Sequence, residues 1–98
     1  MNDRLEQLAG GYFHEDYQLE FGKADEALLA FRDGFSAEFI HSAADELDVL
    51  LASRATESEL DDLWINQLGA NYDPRDDGLT YREWFAHVRD LLTQAKAD

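Results

Sequence analysis

The stretch Thr80-Tyr81-Arg82-Glu83-Trp84-Phe85-Ala86-His87-Val88-Arg89-Asp90-Leu91-Leu92 decides the fold class. Thr80 followed three residues later by Glu83 is a capping box, in which each side chain answers a backbone N–H that the first helical turn leaves open. Tyr81, Trp84, Phe85, Val88, Leu91 and Leu92 then recur at helical spacing, which predicts an amphipathic helix with one heavy aromatic face. Working back along the chain, the same grammar repeats. Thr56 and Glu59 form a second capping box ahead of Leu60, Leu63, Trp64 and Leu68, with Gly69 as the stop. Between Ser36 and Ser53, the residues Phe39, Ile40, Ala43, Leu47, Leu50 and Leu51 make a third stripe. A shorter helix over Asp25–Phe35 carries Leu28, Leu29 and Phe31, and one or two turns are expected over Arg4–Ala9. The exception is the segment from Gly10 to Gly22. There Tyr17, Leu19 and Phe21 alternate with polar residues at period two, yet no second strand is available to satisfy its backbone. The expected fold is therefore all-α: one small domain over residues 1–98, a bundle of four to five helices under an extended aromatic N-terminal segment.

Composition then limits what such a bundle can bind. The 98 residues hold 22 Asp and Glu against 8 Lys and Arg, a formal net charge of −14. That charge repels phosphate backbones and anionic membrane surfaces, so neither nucleic acid nor membrane is expected as a partner. No apolar run is long enough to span a bilayer, and Met1, Asn2, Asp3 and Arg4 do not open a leader pattern. There is no cysteine, which excludes disulfides and a thiol nucleophile and fits a cytoplasmic protein.

Sites for chemistry do not assemble. Asp73-Pro74-Arg75-Asp76-Asp77-Gly78 has the outline of a calcium loop, but Arg75 stands where a ligand oxygen is needed and Trp84 where the bidentate carboxylate belongs. His14, His41 and His87 lack the spacing of a zinc site, although His41/Asp45 and Glu83/His87 are each four apart. No phosphate-binding glycine loop or nucleophile elbow is present. No catalytic residue, metal or cofactor is expected, and the chain reads as a non-enzyme.

The informative pattern is acidic. Between Glu38 and Asp62 lie eight acids (Glu38, Asp45, Glu46, Asp48, Glu57, Glu59, Asp61, Asp62) against one base, Arg54. On a helical wheel Glu38, His41, Asp45 and Asp48 lie opposite the apolar stripe, and Glu59, Asp62 and Asn66 do the same on the next helix. Like charges at these spacings oppose folding by a few tenths of a kcal/mol each, about the worth of an exposed pair. An excess of this kind points to a basic partner. The expected contact residues are Glu38, Asp45, Asp48, Glu59 and Asp62. A nucleic-acid mimic or regulator acting on a basic host protein would use the same face.

Tyr12-Phe13-His14-Glu15-Asp16-Tyr17 followed by Asp25-Glu26-Ala27 resembles the opening of bacterial contact-dependent growth inhibition immunity proteins. Asp45-Glu46-Leu47, Leu50-Leu51, Leu68-Gly69, Tyr72, Pro74 and Arg82-Glu83-Trp84-Phe85 extend the resemblance from about Tyr12 to Leu92. Glu15 departs from it, standing where that family's pattern has Gln. The resemblance implies a cytoplasmic antitoxin that binds the cognate C-terminal toxin domain, often a nuclease. The matching residues are aromatics, caps and turns, so it implies nothing about which side chains touch the toxin.

Overall fold

In the computed structural model the described residues are 3–94, and among them there is no strand. Met1 and Asn2, at the start of the leader reading, lie outside the described residues. The helices are α1 (Asp3–Tyr12), α2 (Tyr17–Phe21), α3 (Ala24–Gly34), α4 (Ala37–Ala52), α5 (Glu57–Asp61, running on as a π-helix over Asp62–Gln67) and α6 (Tyr81–Thr93). A 3-10 turn over Pro74–Asp77 precedes α6. Helices α1, α4, α6 and α3 form a closed ring in which each packs on the next; α5 rests on α6 and α2 on α3.

The two capping boxes form as read. Thr56 accepts from Glu59 N while Glu59 accepts from Thr56 N, and Thr80 and Glu83 repeat the exchange. Ser36 caps α4 by accepting from Phe39 N. Gly69 closes the helix before it at φ 82, a left-handed conformation that glycine adopts without Cβ strain.

The all-α expectation holds, and the N-terminal aromatics do form a cluster, but their backbone is helical rather than extended. Helix α1 runs through Gly10 and Gly11, and Tyr17–Phe21 is a short helix. The apparent period of two in Tyr17, Leu19 and Phe21 has a helical origin. Tyr17 and Phe21, four apart, share the inner face, while Leu19 points outward and is 89% exposed. Phe21 stacks on Tyr12 with centroids 5.5 Å apart.

Phe13 is the hub of the core. Its ring meets Trp64, Trp84, Tyr72 and Tyr17 at 5.3–5.6 Å, mostly tilted or edge-on. Its carbonyl accepts from Asn71 N at 2.7 Å, which pins α1 to the loop after α5. The π-helical turn serves the same cluster. Leu68 N reaches back five residues to Leu63 O at 2.8 Å, and the wider winding carries buried Trp64 inward, where its indole donates to Tyr72 O at 2.8 Å.

Candidate functional site

Six of the eight acids of the α4–α5 stretch can be followed to what they hold. Glu46, with only 10% of its side chain exposed, accepts from Leu5 N and pairs with Arg4, so it closes the N-terminus of α1 from a neighbouring helix. Glu57 accepts from Tyr81 N at 2.6 Å and Arg82 N at 3.1 Å, doing the same for α6. Asp61 accepts from the Tyr81 hydroxyl at 2.8 Å. With Glu59 in the α5 capping box, four of the eight acids are thus helix-end or core fittings.

The five expected contact residues are all exposed, but they are not equivalent. Asp48 is ion-paired with Arg89 of α6. Glu59 is held in its capping box, and the Thr56 backbone N–H draws its carboxyl below the usual range. Asp62 accepts from Asn66 and Gln67, and the Asn66 bond lowers its pKa. Glu38 and Asp45 are the two whose carboxylates make no hydrogen bond or ion pair. The structure places Glu38, Asp45 and Asp48 along one helix, whereas Glu59 and Asp62 stand on α5. The α4 and α5 helices are joined mainly through α6.

Most of the polar groups that resembled ligands are also engaged, the pair His41 and Asp45 apart. Asp73 caps the 3-10 turn and grips Arg75, whose guanidinium lowers its pKa. Asp77 accepts from the Tyr72 hydroxyl at 2.6 Å, and burial with that bond pushes the Tyr72 pKa far up. His87 turns to Asp25 of α3 at 2.7 Å rather than to Glu83, and His14 turns to Glu20. Among the described residues no three His, Asp or Glu side chains converge as a metal site would require.

Two concavities stand out among the described residues. The first, about 470 Å³, lies between α2, the start of α3 and α6; Tyr17, Tyr72, Trp84 and Lys23 line it with Asp25 and Asp77. The indole N–H of buried Trp84 has no hydrogen-bond partner. The second, about 370 Å³, lies between the end of α3, the start of α4 and the end of α6. Phe35, Ile40 and Leu92 form its walls, and Ala37, His41 and Thr93 its mouth. It borders the α4 face that carries Glu38 and Asp45. A wheel reading of acids could not show this groove, because its walls come from three separate helices.

Residues 2–92 match the CdiI immunity protein family. A chain of the crystal structure of the CdiA-CT/CdiI complex from Y. kristensenii 33638 is similar in structure, with a TM-score of 0.89 and 30% identity, covering 94% of this chain and 98% of that one. No curated protein matches in sequence.

Proposed function

Because the chain belongs to the CdiI immunity protein family, we propose that it binds and neutralises the cognate C-terminal toxin domain of a contact-dependent growth inhibition system. The whole chain, 1–98, acts as one such domain, in the cytoplasm, by stoichiometric binding and without chemistry of its own. The observation that carries this reading is the match to a chain of the CdiA-CT/CdiI complex across nearly the full length of both chains. The net charge of −14 supports a basic toxin, and a nuclease that grips phosphates is the natural case. Occlusion of the toxin's nucleic-acid-binding surface is then the mechanism.

Glu38, Asp45, Asp48, Glu59 and Asp62 are the proposed acidic contacts. Glu38 and Asp45 are the leading pair, since no intramolecular bond has to break before a toxin Lys or Arg can approach. Losing one side of a desolvated charge pair costs about 2–5 kcal/mol. The test is growth rescue on co-expression with the cognate toxin domain. Wild type should protect. The double variant Glu38→Lys/Asp45→Lys should not, with its helical circular dichroism and Tm preserved. A folded double variant that still protects would move the interface; a wild-type chain that neither protects nor binds would end the antitoxin reading.

A further inference from the structure

The outer face of α4 combines three features that a purely solvating surface does not need. At its N-terminal end it borders the groove walled by Phe35, Ile40 and Leu92, of about 370 Å³. That volume lies at the lower end of ordinary binding clefts and suits one large side chain. Further along, His41, Asp45 and Val49 follow one another at four-residue spacing and so share a stripe. Val49 is 74% exposed, one of two large apolar residues left bare among the described ones. Finally, Glu38 and Asp45 are unpaired acids on that same face, while the next acid along, Asp48, is paired with Arg89.

We propose that this face is the docking surface for the toxin domain, and that the groove seats one large apolar side chain of the toxin. The assignment rests on the antitoxin reading above and adds an anchor that charge alone does not provide. Charge complementarity fixes the occupant's surroundings: the seated side chain is flanked by Lys or Arg residues facing Glu38 and Asp45. A buried apolar anchor inside a charged rim is the arrangement that concentrates binding energy at protein interfaces. Arg32, which also lines the groove, does not repel such a partner as a free cation would. Its guanidinium is turned onto Leu91 O and Asp33. The larger cleft beside Trp84 fits a basic partner less well, since Asp25 and Asp77 are committed to His87 and Tyr72 and Lys23 lines it.

The test is isothermal titration of the purified chain with the purified cognate toxin domain. Thr93→Trp and Ala37→Trp start from exposed positions at the groove mouth and fill it with the chain's own ring. Each should weaken binding about thirtyfold, the scale of losing one hot-spot contact, with Tm unchanged. Val49→Asp should weaken binding about tenfold on the same reasoning, and Gln18→Trp, in the other cleft, should leave it unchanged. Wild-type affinity in both folded groove variants overturns the proposal, as does loss of binding in Gln18→Trp alone. A wild-type dimer that Thr93→Trp splits would give the groove to a second copy. A fall in Tm on removing residues 95–98, shared by Thr93→Trp, would give it to the chain's own end. Either result also overturns the assignment. A wild-type chain that binds no toxin domain fails the antitoxin reading itself, a distinct result.

Discussion

Arg82 projects from the first turn of α6 and donates to three carbonyls at once: Leu51 O at 2.9 Å, Ser53 O at 2.7 Å and Ala55 O at 3.0 Å. Helix α4 has no basic residue in its own last turn; Ser53 answers Leu50 O locally, while Leu51 O and the carbonyls of Ser53 and Ala55 just beyond the helix are answered by Arg82 from another helix. The planar fork of a guanidinium can serve three acceptors that a single ammonium cannot. Arg82→Lys should therefore lose about 1–3 kcal/mol in urea unfolding, the scale of one or two charge-assisted hydrogen bonds, and Arg82→Ala more. Nothing local in the sequence pointed to this role, because the partners lie 27–31 positions away. Glu46 and Glu57 escaped for the same reason: as letters they are two more acids on an acidic stretch. By contrast the Thr80–Glu83 exchange closes within four residues, and the sequence displays it in full.

At the scale of elements, the legible features are those whose period or punctuation repeats several times. The stripes of α4 and α6 span three or more turns each and were readable with their caps. Two elements were not. Over the five residues of α2, a helix and a strand place Tyr17 and Phe21 on one side alike, so periodicity could not separate them. The six-residue π-helix after Asp61 differs from an α-helix by less than one residue per turn, too little to show in a single pass of Leu63, Trp64 and Leu68. The caps carry a pH dependence of definite sign. Backbone N–H groups of Thr56 and Thr80 lower the carboxyls of Glu59 and Glu83, and Arg75 lowers that of Asp73. A carboxylate whose folded pKa is depressed stabilises the fold fully above its unfolded value, and that contribution goes as pH falls through the folded value. Tm should be flat with respect to these groups above about pH 5 and fall as the pH drops below the ordinary values of 4.5 for Glu and 3.8 for Asp. Glu59→Gln/Glu83→Gln, which removes the two titrating carboxyls while leaving the backbone donors in place, should flatten that acid limb. A thermal series from pH 6 to pH 2.5, at fixed ionic strength, reads both.

For the whole molecule, the charge total was legible at once, but its division of labour was not. Glu46 ties α1 to α4 and Glu57 ties α6 to α5, while Glu38 and Asp45 are left facing outward. All of them still contribute to the long-range field. Association with a basic toxin domain should accordingly slow about tenfold between roughly 50 and 500 mM salt, as steered encounters do when the screening length shortens. Stopped-flow mixing measures it, and a rate indifferent to salt would remove the steering role.

The cross-helix caps have one more effect. An isolated helix frays from its ends, where backbone groups lack partners. Here Glu46, Glu57 and Arg82 each tie such an end to a different helix, so α1, α4 and α6 cannot loosen one at a time at those ends. Helix α4 is thereby tied to α6 at its C-terminal end and to α1 through Glu46 before any partner arrives. A preorganised face of this kind spends little of its interaction energy on ordering itself, which leaves more of each contact to appear as affinity.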